Sequence, residues 1–153
     1  MYLLDTNHCS RLMEGDAGVL RRFQDMGDSP VMTSFIVRGE LLYMAYRSDR
    51  FADNLARVEA FLSGIDLYLV DPETANTYGE LKAALMRHYG PRERAARRRT
   101  SIRLLGFDDN DLWIAATALR FGPTVVSADS DFVRIREIMP FPLESWCSPS
   151  EMP

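Results

Sequence analysis

The sequence predicts an α/β fold: a central, mainly parallel sheet of about five strands, flanked by helices. Three observations predict it. Short apolar runs alternate along the chain with longer segments whose apolar residues recur at helical spacing, the pattern of parallel strands joined by helical crossovers. Two of the runs, YLLD and TVVSAD, pass straight into acidic residues, and polar groups collect at the carboxyl ends of such strands. Glycine and proline mark most of the boundaries between runs.

The elements follow in order. YLLD (2–5) reads as a short buried strand, and Thr6 to Met13 as a helix stopped by Gly15. AGVLRRFQDM (17–26) is an amphipathic helix. Val31 to Ser34, after Pro30, is a short strand, and helices cover 35–47 and 51–62, the second ended by Gly64. IDLYLV (65–70) is the clearest strand by composition, bounded by Asp71-Pro72. A long helix spans 73–88 until Gly90-Pro91 breaks it, and the arginine-rich stretch beyond is helical as well. DNDLWIAATALRF (109–121) opens on capping residues and stops at Gly122-Pro123. TVVSAD (124–129) is a strand, and a last strand lies around Leu143 to Trp146.

A chain of 153 residues, 46% hydrophobic and 26% charged, is expected to form one domain across residues 1–153. No apolar run approaches membrane-spanning length, and the N-terminus lacks a basic region followed by an apolar one. A cytoplasmic protein with no membrane partner is expected. Cys9 and Cys147 are the only cysteines. They read as free thiols that serve packing in a reducing compartment.

The net charge of −4 argues against indiscriminate nucleic-acid binding, but it hides an asymmetry. Residues 87–103 hold seven arginines against one glutamate, a net +6, so the rest of the chain carries −10. One cationic segment sits on an acidic body.

Four acids stand out by position. Asp5 and Asp129 follow strands, with Asp131 two residues further. Each also suits a helix cap or turn. Glu40 borders a stripe of Val37, Leu41, Met44 and Ala45, where a carboxylate is costly unless it is paired, binds a cation or reaches water at the edge. Asp111 opens a helix that is apolar almost all round, amid Asp108, Asp109 and Asn110. Capping and the helix dipole account for Asp108 and Asp109. Carboxylates gathered in one pocket cannot all ionise unless a cation neutralises them. Oxygen ligands without His or Cys favour Mg²⁺ or Mn²⁺, ions suited to phosphodiester hydrolysis.

The stretches LLDTN, TSFIVRGELLYMA, DNDLWIAATAL, VVSADSDF and PLESW lie in order across nearly the whole chain. In them the chain resembles the PIN-domain family, and within it the VapC-type toxins of bacterial toxin–antitoxin pairs. The resemblance implies a three-layer fold and a metal-dependent endoribonuclease that cuts structured RNA such as tRNA or ribosomal RNA. It implies a homodimer and a small VapB-like antitoxin that blocks the site. Carried over by motif, Asp5, Glu40 and Asp111 match the core acids, and Asp129 or Asp131 the fourth. These residues are expected to hold one or two Mg²⁺ or Mn²⁺ while activated water attacks the RNA phosphorus in line, leaving a 5′-phosphate and a 3′-hydroxyl. Thr6 and Asn7 match the polar pair after the first acid and are expected to support it. Ser127 stands where the family usually has threonine, and Ser34 is a family-like cap for the Glu40 helix.

Outside the motifs, Arg92, Arg94, Arg97, Arg98 and Arg99 are candidates for RNA phosphate contacts, with a solvated face or a dimer contact as the alternative. His8 and His88 read as surface residues, and Tyr43 and Tyr46 as packing or dimer surface. Other classes fit less well. A phosphoacceptor domain wants a lysine at a later strand end, and the one lysine, Lys82, falls inside a helix. A haloacid-dehalogenase-like phosphatase wants an aspartate where Asn7 stands. A PIN nuclease of RNA processing would show the same motifs, and a non-catalytic binding module would have lost a core acid.

Overall fold

The computed structural model describes residues 1–147; the remaining residues of the expected domain, 148–153, lie outside them. The strands are β1 (Tyr2–Leu4), β2 (Val31–Ser34), β3 (Asp66–Tyr68), β4 (Thr124–Val126) and β5 (Leu143–Glu144). The helices are α1 (Thr6–Glu14), α2 (Ala17–Asp25), α3 (Phe35–Tyr46), α4 (Phe51–Ser63), α5 (Pro72–Tyr89), α6 (Arg94–Arg99), α7 (Asp109–Phe121) and α8 (Ser130–Ile138). A 3₁₀ turn at Arg103–Leu105 precedes α7. None of the described helices is long and apolar enough to cross a membrane.

All strand pairs are parallel, in the order β3-β2-β1-β4-β5. The order reverses between β1 and β4, so the switch point lies just beyond Leu4 and Val126. Right-handed crossovers place α1–α4 on one face and α5–α8 on the other. Helix packing follows these faces, with α1 against α2, α3 and α4, and α5 against α7 and α8, while α3 also meets α7. Adjacent residues Leu3 and Leu4, and Val125 and Val126, are fully buried. Neighbours on a strand face opposite ways, so both sheet faces are covered at its centre.

The helix ends obey local chemistry. Asp5, Asp16, Ser34, Asp71, Asp108 and Asp129 each accept a backbone N–H in the first turn of the helix that follows. Gly15 and Gly122, at φ 80° and 76°, close α1 and α7 in the left-handed conformation that glycine adopts without steric cost.

Several expectations need correction. The strands are shorter than their apolar runs. IDLYLV pairs only over Asp66–Tyr68, because β3 is an edge strand and Leu69 and Val70 emerge into solvent. TVVSAD is strand only through Val126; the Ser127 N–H still donates to Glu144 O at 2.9 Å, while its hydroxyl turns into the site. The last strand stops at Glu144. Helix α8 was not expected, since its start was read only as strand-end acids. Phe132 and Ile135, three residues apart, are its buried face. Met44 leaves the α3 stripe and is exposed, while Val37, Leu41 and Ala45 are buried. Tyr43 and Tyr46 are 59% and 63% exposed, so they do not pack within the chain.

Candidate active site

The site forms where the chain reverses strand order. Asp5 leaves β1 with only 3% of its surface exposed. Its backbone N–H donates to Val126 O at 3.2 Å, which ties it to β4. Its Oδ1 accepts the His8 backbone N–H at 2.7 Å and lies 2.9 Å from His8 Nδ1. Its Oδ2 accepts the Ser127 hydroxyl at 2.5 Å. The cap and the buried acid are therefore the same carboxylate.

Glu40 reaches the site from α3. The Thr6 hydroxyl donates to its Oε2, and Asn110 Nδ2 donates to Oε1 at 2.7 Å. These bonds join α1, α3 and the start of α7. Thr6 thus holds Glu40 rather than Asp5. Asn7 is exposed and lies on the rim of a cavity of about 700 Å³ that His8, Asp129 and Cys147 also line.

Asp129 begins α8, where its Oδ1 accepts the Asp131 N–H at 2.8 Å. Its own N–H donates to Ser127 Oγ at 3.0 Å. One serine hydroxyl therefore connects Asp5 to Asp129. Asp131 turns towards Arg134, 3.1 Å away. Burial and the neighbouring Asp129 raise the Asp131 pKa, and Arg134 opposes the rise.

Asp111 carries the clearest electrostatic signature. Burial, then the charges of Asp129, Asp108, Asp131 and Glu40, push its pKa up to about 8. Asp129 is the strongest of these charges, ahead of Asp131. Asp109 points elsewhere, to Lys82 Nζ at 2.6 Å and the Tyr78 hydroxyl at 2.8 Å. Two cations are engaged at the margins, Lys82 by Asp109 and Arg134 by Asp131.

Among the described residues, no three His, Cys, Asp or Glu side chains already form a closed ligand set. The donor chemistry still fits a hard divalent cation. The groups that converge on Asp111 are carboxylates, and their mutual repulsion is what such an ion relieves.

The arginines divide. Arg97 donates to Pro91 O and Arg92 O, both at 3.0 Å, and so braces its own loop. Arg92, Arg94, Arg98 and Arg99 are exposed and form no ion pair among the described residues. His88 is exposed, as expected. His8 is not a surface residue: it is fully buried behind Asp5. Position alone could not reveal this, because its partners include residues 138 and 139 places away.

Residues 2–138 match the PIN domain. The chain belongs to the PIN-domain family. Among curated relatives, this PIN chain is 30% identical over 90 residues to the tRNA(fMet)-specific endonuclease VapC of Shigella flexneri, a match covering 59% of this chain and 68% of that protein. Among solved structures, it resembles a chain of DNA-bound VapBC from Salmonella typhimurium, with TM-score 0.77 and 28% identity over 95% of this chain and 98% of that one. It shares its fold with a chain of VapBC2 from Rickettsia felis bound to a promoter DNA fragment, with TM-score 0.75 and 22% identity over 95% and 98%.

Proposed function

We propose that this PIN chain is a divalent-metal-dependent endoribonuclease that acts in the cytoplasm on tRNA or ribosomal RNA, and is the toxin of a toxin–antitoxin pair. The observation that carries the reading is the acidic surroundings of Asp111, where burial and then the charges of Asp129, Asp108, Asp131 and Glu40 push its pKa up to about 8, with Asp5 joined to Asp129 through Ser127. The named activity of the Shigella flexneri relative supports the RNA substrate. The VapBC complexes support a VapB-like antitoxin partner.

Asp5, Glu40, Asp111 and Asp129 would hold Mg²⁺ or Mn²⁺, with Asp131 the alternative to Asp129. When bound, such an ion polarises the phosphodiester and lowers the pKa of water. The chain's own groups do the rest. Ser127 fixes Asp5, and Thr6 and Asn110 fix Glu40, so neither carboxylate must be ordered when substrate arrives. A neighbouring carboxylate takes the proton from water as it attacks phosphorus in line. The products are a 5′-phosphate and a 3′-hydroxyl. Arg92, Arg94, Arg98 and Arg99 supply phosphate contacts that the acidic site cannot.

Phe35, Tyr43, Met44, Tyr46 and Phe51 are exposed on neighbouring helices α3 and α4. Phe35, Tyr43 and Tyr46 fall on one side of α3 at helical spacing, and an exposed side of this kind suits the surface of a homodimer.

The test is cleavage of total tRNA and ribosomal RNA with Mg²⁺ or Mn²⁺, by the wild type and by Asp5→Asn. Discrete cuts by the wild type alone, abolished by a chelator, are expected. Equal activity in both proteins would exclude Asp5 from the reaction, and no cutting of either RNA would remove the ribonuclease.

A further inference from the structure

The reaction outlined above gives no chemical task to one buried titratable side chain. His8 is fully buried in the first turn of α1. Its Nδ1 lies 2.9 Å from Asp5 Oδ1. Its Nε2 receives the backbone N–H of Trp146 at 3.3 Å, and the Cys147 sulfur stands 3.4 Å from the same nitrogen. The Trp146 backbone N–H can only donate, so Nε2 accepts and the ring proton sits on Nδ1. From there it is donated to Asp5. The Trp146 ring meets His8 edge-on, at 6.5 Å and 88°, and rests on Tyr2 of β1 at 5.6 Å and 62°. Its indole N–H donates to Glu144 Oε1 at 2.6 Å, which anchors it to β5.

We infer that His8 is the positioning residue of Asp5, held in its tautomer by the chain just after β5. An ionised carboxylate offers about four acceptor directions. The His8 backbone N–H and its ring Nδ1 use both directions on Oδ1. Ser127 uses one on Oδ2. Asp5 is left with a single open direction, on Oδ2, and His8 decides which oxygen that is. Trp146 and Cys147 lie beyond the residues that match the PIN domain, 2–138. The chain just after β5 is thus wired to the first acid of the site. The inference rests on the reading above only in that Asp5 acts there.

The experiment has two arms. Nitrogen-15 NMR of the labelled, metal-free protein reads the His8 tautomer directly. Nδ1 protonated and Nε2 bare is expected; a proton on Nε2 would overturn the inference, whatever the variants do. The second arm measures Mn²⁺ affinity and RNA cleavage for wild type, His8→Asn and His8→Gln. Asparagine places an amide N–H where Nδ1 stands; glutamine reaches the Nε2 position instead. His8→Gln is expected to lose about 10- to 100-fold in Mn²⁺ affinity and in kcat with KM unchanged, while His8→Asn stays within about threefold of wild type. A purely structural histidine predicts the reverse, because glutamine fills the buried space better. Equal effects of the two variants, or neither having one, would also overturn the inference. A wild type inactive on RNA would remove the ribonuclease reading alone, since the tautomer and the Mn²⁺ affinities still decide this one.

Discussion

Asp111 shows how one side chain reports on a whole site. Its pKa, raised from 3.8 to about 8, means that folding favours its protonated form. The stability tied to this carboxyl is complete below about pH 4 and is lost as pH climbs towards 8. The metal-free protein should therefore melt at progressively lower temperature across that window. Asp111→Asn should flatten the decline and melt higher than wild type at pH 8, by the order of a few degrees. Scanning calorimetry in chelator checks this, and identical wild-type and variant curves would contradict the anionic surroundings described here. Mn²⁺ should raise the wild-type curve most at high pH. At this scale the sequence shows some residues and hides others. Asp5 and Asp111 are visible because an acid next to a buried strand or helix is unusual. Glu40 is visible because it interrupts an apolar stripe. His8 is not, since a polar residue in a first helical turn looks the same whether it faces water or the core. Its direction depends on Trp146, which no local pattern connects to it.

Among the elements, α8 was the least legible and does more than cover the sheet. Its Arg134 donates to Leu105 O at 3.0 Å and to Gly106 O at 2.9 Å. It lies 3.8 Å from the Phe107 ring centroid and 5.1 Å from that of Tyr89. One guanidinium thus clamps the loop that leads into α7 and Asp111. Arg134→Met should keep the apolar stem but lose the hydrogen bonds, lowering stability by roughly 1–3 kcal/mol. Urea unfolding measures this, and an unchanged midpoint would show that the loop is held by packing alone. Activity should fall further than stability explains, because the loop sets the start of α7. The strand lengths were overread for a related reason. An apolar run shows that residues are buried, not how far the strand runs, and at Ser127 the backbone N–H still meets Glu144 O while the hydroxyl turns to Asp5.

The molecule as a whole is an acidic body with one cationic segment next in sequence to its acidic site. This arrangement makes substrate binding salt-dependent without making the protein a general RNA binder. Replacing Arg92, Arg94, Arg98 and Arg99 with alanine should lower the slope of log affinity against log salt by up to about 3, near 0.7–0.9 per phosphate contact. Binding isotherms at several salt concentrations, using Asp5→Asn to prevent cutting, would measure it. An unchanged slope would assign the segment to assembly instead. The fold class, the strand order's parallel sense and the charge asymmetry were open to reading from sequence, because alternation and composition are local. Which arginines stay exposed was not, since Arg97 is drawn back onto its own backbone.

The bonds that hold Asp5 reach across 122 residues to Ser127, and those that hold His8 across 138 to Trp146. During translation Asp5 and His8 are made well before Ser127 and Trp146, so two of the bonds that orient this acid can form only after those residues are made. A growing chain on its ribosome therefore carries the acid without the site. If the chain is a toxin for the RNAs of translation, its site is incomplete until the residues around Ser127 and Trp146 have been made.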